Sequence, residues 1–583
     1  MTTKILIVAL ATIGLSIGAR AQNVNIPDAN FKSLLLGNAA INTNGDNEIS
    51  VAEAAAYTGT ISVGYSSIAD LTGIEAFTVI TQLECYGNSL TSLNVSNNTS
   101  LTVLRCYTNS IANLDLSNNT ALIELSCDNN SLTNLDLSNN VELTNLSCEN
   151  NSLSNLDMHK NTALINLHCG HNLLTSLDLS NNTALTSLYC TYNSLTSMDL
   201  SNNTALNLIR CDGNSLTTLD LSSNTALVRL YCYSNSLTSL NLPNSIALTD
   251  LYCTYNLLTS IDVSKNTALT SLNCFGNKLT NIDVSSNTAL IDLDCGDNKL
   301  ANLDVSNNTE LISLGCSMNP LTTLDVSKNT ALNRLDCDYS SLTSLDVSNN
   351  TALKELYCSD NSLRSLNLQN GNNSKLQDFD ATNNSNLRCI LVSDAAYMNS
   401  HFAGSIDASA SFYETNCPQC TISTMVIPVN SGTVTGAGNY NLGELVNLTA
   451  TPEPGYDFTM WKITGYEAST SAAFSFTAIA DMVLVANFTT VTGIDDVNVA
   501  QALVLYPNPS AGKFALEFNS SYSGNITIKI YAAGGSAIKE YQVSKLAGKL
   551  TYPVDLGNVA AGVYYVDITT ANEKITKMLV VSR

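Results

Sequence analysis

The sequence predicts a mainly β chain, most of it a solenoid of 21-residue coils, and three observations carry that prediction. Fourteen cysteines return every 21 residues without a slip, from Cys85 to Cys358. A fixed period in this range marks units that stack on one another rather than fold around one centre. Within each unit, as in Leu104-Arg105-Cys106, apolar and polar residues alternate as a half-buried strand requires. Between the strands no 3.6-residue periodicity fits, so the return side should be extended or tight 3₁₀ segments rather than helices.

One unit reads Leu101-Thr-Val-Leu104-Arg-Cys106-Tyr-Thr-Asn109, then Ile111-Ala-Asn-Leu114-Asp115-Leu116-Ser-Asn-Asn119-Thr-Ala. Its first half matches L-x-x-L-x-C-x-x-N, the leucine-rich-repeat strand pattern with cysteine in the last apolar slot. The Asn109 column suits a turn, where a short amide satisfies backbone groups left bare by the bend. A lone coil buries too little to offset the entropy of ordering it, so neighbours must complete it and the ends need caps. Abundant cysteine in an exported protein usually means disulfides. In-register columns, however, place Cβ atoms about 4.8 Å apart, against about 3.8 Å in a disulfide. The fourteen are therefore expected as buried free thiols acting as small apolar residues. A straight column does not converge on a metal.

The unit L-x-x-L-x-C-x-x-N-x-L-T-x-L-D-[VL]-S-x-N-T-x resembles the cysteine-ladder repeats of internalin-type bacterial surface proteins, over about half the chain. That resemblance implies ligand binding or adhesion in general, without naming a partner.

In chain order, residues 1–21 carry Lys4, an apolar run and Ala19-Arg20-Ala21, a secretory signal too short to span a membrane. Residues 22–57 should form a small helical N-terminal cap. Between its helices Asn42, Asn44, Asp46, Glu48 and Glu53 fall at EF-hand loop positions 1, 3, 5, 7 and 12. Asn replaces Asp at position 1, and Asn47 the usual Gly at position 6. The expectation is a polar loop joining two helices, with weak calcium binding as the alternative, and no cofactor is required. Residues 58–392 form the solenoid, opening on Ile61-Ser-Val63 and loosening at the insertion Gln369–Ser374, with Leu387–Val392 read as its last strand. Residues 393–420 form the C-terminal cap. Cys389 lies outside the ladder, so a Cys389–Cys417 bridge is expected to close that cap, and Cys420 is the remaining thiol there.

Two small all-β domains follow. Residues 421–489 are short alternating strands with Trp461 as core, resembling the β repeat domains found beside internalin-type repeats. Residues 490–498 are a polar linker. Residues 499–583 read as a β-sandwich. Their Tyr506-Pro507-Asn508-Pro509 start, Gly562-x-Tyr564-x-Val566 strand and basic-then-apolar tail resemble the C-terminal sorting domain of type IX secretion. This implies handling by that machinery, passage through the outer membrane, and release or attachment at the bacterial surface.

Charge and composition narrow the function. The chain carries −24, and residues 80–361 hold 26 acidic against 10 basic side chains, so nucleic acid and anionic membranes should be repelled. Beyond the leader, no segment is long and apolar enough to be transmembrane. There are four histidines, no phosphate loop, no zinc spacing and no serine nucleophile motif, so no enzyme is expected. Outward slots of neighbouring coils hold Tyr189, Tyr192, Arg210, Arg229, Tyr231, Tyr233, Tyr252, Tyr255 and Phe275. Exposed aromatics grouped in this way point to a protein or glycan ligand. The blander account is that tyrosine packs well in any sheet. Asp292, Asp294, Asp297, Asp336 and Asp338 make the same face acidic further along, and eleven aspartates from Asp115 to Asp346 line one edge. The expected role is a secreted or surface-attached adhesin-like binder; a structural stalk without a dedicated ligand is the alternative.

Overall fold

Each coil contributes one strand of three residues to a single parallel sheet of 16 strands, from Thr60–Ser62 to Asp378–Asp380. The structure, a computed structural model, describes residues 22–490, 503–520, 522–571 and 574–582. The leader at 1–21 and all of the 490–498 linker except Thr490, which ends the strand Met482–Thr490, lie outside the described residues. The chain divides into two compact units, one holding the solenoid with its caps and the other most residues beyond Thr421.

The register is constant. Leu83 pairs with Leu104, Leu104 with Leu125, and so on, the central leucine buried and both flanking residues half-exposed. Main-chain bonds continue past the strand, with Cys106 N donating to Ser126 O at 2.8 Å. All fourteen ladder cysteines are free and fully buried. Burial pushes the thiols of Cys106 and Cys253 up to about 12.

Two asparagine columns staple coil to coil. Asn109 Nδ2 donates to Cys85 O and Cys106 O, each at 3.0 Å, while its Oδ1 accepts from Leu90 N at 3.0 Å. On the return side the fully buried Asn119 donates to Val95 O at 3.0 Å and Asn98 O at 2.9 Å. Only parts of that side form ladders: Thr218–Asp220 with Ser239–Asn241, and a four-stranded sheet made by Ser344–Asp346, Ser365–Leu368, Cys389–Val392 and Ser411–Tyr413. Elsewhere it is turn and extended chain, with 3₁₀ turns at Ile74–Ala76 and Asn373–Lys375.

The end of the solenoid differs from the expectation. Cys389–Val392 belongs to the return-side sheet, and the last strand of the main sheet is Asp378–Asp380. The insertion lengthens that coil, so Phe379 pairs with Leu356 and the buried Ala381 follows it in the cysteine slot. Alanine there hid the coil from a search for cysteine.

Helices close both ends. Helix α1 (Ala29–Leu36) is capped by Asp28, whose Oδ1 accepts from Asn30 N and Phe31 N and whose Oδ2 accepts from Ala69 N at 2.8 Å. Its Phe31 and Leu35 join the solenoid core. Helix α2 (Val51–Ala56) starts at a reciprocal Ser50–Glu53 capping box. At the other end, α3 (Ala395–Phe402) buries Met398 and Phe402, and Cys389 is disulfide-bonded to Cys417 with Cα atoms 5.7 Å apart.

In the second unit, Ile422–Ile427 pairs in parallel with Met482–Asn487, and Tyr456–Ile463 runs antiparallel to the latter's strand around a fully buried Trp461. Leu503–Val581 makes a three-stranded and a four-stranded antiparallel sheet that share a core including Phe518, Ile528, Val566 and Leu579. Lys545, 2% exposed, donates to the carbonyls of Ser520, Tyr522, Leu546 and Gly548.

In the folded protein at pH 8, none of the fourteen ladder thiols should react with a maleimide until denaturant unfolds the coils, as peptide mass mapping would show. Asn256→Ala removes the group bonded to Cys232 O, Cys253 O, Thr254 O and Leu237 N. Its stability in urea should fall by about 1–3 kcal/mol, the cost of leaving buried backbone groups unsatisfied.

Candidate ligand-binding face

Parallel sheets are usually covered on both faces; the outward flanking residues of this one remain half-exposed. Because the register never shifts, equivalent slots form straight files along the solenoid, spaced by the roughly 4.8 Å between strands. That spacing suits stacked planar groups.

The slot before the cysteine uses it. His168 lies 4.2 Å from Tyr189, centroid to centroid. The Arg210 guanidinium sits 5.7 Å from the Tyr189 ring and 5.2 Å from that of Tyr231. Tyr231 stacks on Tyr252 at 5.0 Å and 11°. Five successive coils thus carry one continuous file of planar groups, closed by a Tyr252 Oη–Ser271 Oγ hydrogen bond of 2.9 Å.

Arg210 is fixed from below. Its Nε donates to Asp212 Oδ1 at 3.4 Å and its Nη2 to Tyr233 Oη at 3.3 Å. Asp212 is fully buried. Burial, with Asp212 alongside, pushes the Tyr233 hydroxyl up to about 12.

A second file lies two residues beyond the cysteine, where His171, Tyr192 and Tyr255 take left-handed φ near +50°. His171 stacks on Tyr192 at 4.6 Å, and Tyr255 meets Phe275 edge-on at 5.5 Å. The Tyr192 and Tyr255 rings lie against Gly213 and Gly276, one coil on. A Cβ at those glycines would come within 2.7 and 2.8 Å of the rings. Arg229 is exposed at the first strand slot, in register with Asp250.

Tyr189, Arg210, Tyr231 and Tyr252 therefore share one file and Tyr192 and Tyr255 another, with Tyr233 and Phe275 in the slot between and Arg229 on the far flank. His168, His171 and Asp212 were not anticipated. The histidines are visible as the residues 21 before Tyr189 and Tyr192, but the burial of Asp212 leaves no trace in the sequence. A separate stack, Tyr65–Tyr86–Tyr107, was also missed; its last two rings are 4.6 Å apart and parallel. Further along, burial pushes Asp338 up to about 6 and also raises Asp294.

The loop with EF-hand spacing is tightly built. Asn42 Nδ2 donates to Asp46 O at 2.9 Å, Asn44 Oδ1 accepts from Asp46 N at 2.8 Å, and Asp46 Oδ1 accepts from Glu48 N at 2.7 Å. Glu48 pairs with Lys32 at 2.7 Å. Hydrogen bonds from Ser50, then Asn44 and Thr43, hold the Glu53 carboxyl down at about 2. Among the described residues, no three His, Cys, Asp or Glu side chains converge as a metal would need.

Residues 504–582 match the family model of the secretion system C-terminal sorting domain, and residues 422–492 that of the divergent InlB B-repeat domain. The sorting domain marks a secreted or cell-surface protein. No curated protein matches the chain. Among solved structures, the functional domain of InlJ from Listeria monocytogenes, described as including a cysteine ladder, is 30% identical. That match covers 80% of this chain and 98% of that one at a TM-score of 0.55. An internalin (inlF) from Listeria monocytogenes is 21% identical over 63% of this chain and 100% of its own, with a TM-score of 0.48. YopM, a leucine-rich effector protein from Yersinia pestis, is 25% identical over 52% and 84%, with a TM-score of 0.42. The chain belongs to the internalin-type cysteine-ladder leucine-rich-repeat proteins.

Proposed function

We propose that the protein is a non-catalytic, adhesin-like binder, delivered to the surface or the medium by type IX secretion through residues 499–583. It recognises a protein or glycan ligand with the sheet face between His168 and Phe275. One observation carries this reading: the file His168–Tyr189–Arg210–Tyr231–Tyr252, with Asp212 wholly buried beneath it. Tyrosine and arginine dominate binding hot spots, and side chains already held by stacking lose little entropy when a partner arrives. Burying a carboxylate costs several kcal/mol unless it is paired and hydrogen-bonded. A plain spacer has no use for that cost, whereas a surface that must present Arg210 in one orientation does.

Catalysis finds no support in the same face. Cys169 is fully buried while the neighbouring His168 is half-exposed on the sheet face, so the two do not form a nucleophile–base pair.

Glycan-array or pull-down binding by the parent should fall by about tenfold or more in Tyr231→Ala plus Tyr252→Ala, with circular dichroism unchanged. Equal binding by that double variant, or no binding by the parent, would return the molecule to the stalk reading. Asp212→Asn keeps the shape but removes the charge that orients Arg210. It should weaken the same binding by more than Asp115→Asn, a change on the exposed edge.

A further inference from the structure

The C-terminal end of the solenoid carries a groove that the sheet face does not use. It lies against α3, measures about 590 Å³, and its lining includes Lys354, Ser374, Lys375, Gln377, Tyr397 and His401. We propose that this groove binds a phosphate or sulfate ester carried on a sugar, at a site separate from the sheet face.

Charge sets the groove apart. The chain holds 49 acidic against 25 basic side chains, yet no carboxylate lines this cavity and two lysines and a histidine do. Among the described residues, neither Lys354 nor Lys375 has a salt-bridge partner. Lysines on the exposed edge differ: Lys265 interacts electrostatically with Asp262, and Lys328 with Asp325. At the slot of Lys354 the thirteen earlier ladder coils carry only Thr, Ile, Val or Asn. The charge enters that file where the groove opens.

The insertion at Gln369–Ser374 builds the groove, and its walls are fixed. The lengthened coil turns through Asn373–Lys375, and Asn373 Oδ1 accepts from Ser393 N at 2.6 Å and Asp394 N at 3.1 Å. That fastens the turn to the start of α3. Tyr397 Oη donates to Leu376 O at 3.2 Å, and Gln377 N to Lys354 O at 2.7 Å. His401 stacks on Tyr397 at 4.1 Å and 20°, with Nδ1 3.0 Å from Tyr397 O. A carbonyl only accepts, so Nδ1 is the donor there and Nε2 is left for a ligand.

These groups select a ligand class. Two ammonium charges match the charge of a phosphate monoester, close to −2 at neutral pH. Lysine offers a compact charge with rotatable donors, which suits a tetrahedral oxyanion; the flat fork of arginine, matched to carboxylates, is missing from the lining. Gln377 and Ser374 can bond hydroxyls, and the Tyr397–His401 stack gives a flat wall for a sugar ring. The size falls within the range of about 300–1,000 Å³ usual for ligand pockets.

The test measures dextran bearing sulfate, phosphate or carboxymethyl groups, and plain dextran, binding to the immobilised full chain at about 0.15 M salt. The net charge of −24 opposes every anionic probe, so binding requires a local site. Sulfated or phosphorylated dextran should bind, the tighter of the two naming the ester, and carboxymethyl and plain dextran should not. Lys354→Gln plus Lys375→Gln should weaken binding by about tenfold or more, the cost of lost charge-assisted hydrogen bonds, with the melting midpoint unchanged. Lys265→Gln plus Lys328→Gln, on the edge, should leave binding intact. So should Tyr231→Ala plus Tyr252→Ala, on the sheet face. The matching glucose 6-ester should displace the probe at lower concentration than the inorganic anion. Failure of both esters to bind, equal binding of carboxymethyl dextran, binding that survives loss of Lys354 and Lys375, or equal competition by the inorganic anion overturns the proposal.

Discussion

Hydrogen bonds between coils, rather than within them, hold this molecule together. Each three-residue strand is too short to stand alone, and its turn leaves carbonyls bare. The amides of Asn109 and Asn119 and their equivalents reach back one coil to satisfy those carbonyls. An amide that reaches both its own coil and the previous one holds the strands in register, and the same staple persists at Asn88 and Asn384, where coils run to 22 and 23 residues. The small thiol follows from the same constraint. It fills the slot where strand gives way to turn, with main-chain neighbours on both sides, and burial keeps it protonated and inert.

A fixed offset also turns a linear sequence into a surface. Residues 21 apart become contacts, so a tyrosine recurring at one slot becomes a stack and an arginine within it becomes a cation held between rings. The energetic commitment sits underneath, in Asp212, Arg210 and Tyr233. The coils before and after this stretch lack that commitment. At the slot of Asp212, Asp128 is half-exposed and bonded to serines, and Asp338 bonds the amide of Ser359.

Period, strand slots, free thiols and the outward tyrosines were legible because they are properties of spacing, and spacing is what the stacking constraint acts on. The last coil was hidden because Ala381 replaces cysteine after an insertion that moves the offset from 21 to 23. His168 and His171 stand in the sequence 21 residues before Tyr189 and Tyr192, but their stacking on those rings emerges only when the rings are placed in space. The buried state of Asp212 depends on what Arg210 and Tyr233 do above it, which no single slot encodes. The capping box at Ser50 and Glu53 could be read directly, because both partners lie within one turn of the sequence.

The rings lying against Gly213 and Gly276 have one more implication. A tandem array looks free to grow or shrink by whole units, since any coil fits any other through its backbone. Here the paired ring and bare α-carbon act as a key between particular neighbours. Recombination that dropped or copied a unit between them would seat a side chain under the ring and lift it. A change in repeat number here therefore carries a local repacking cost that it does not carry where no ring overlies a bare α-carbon.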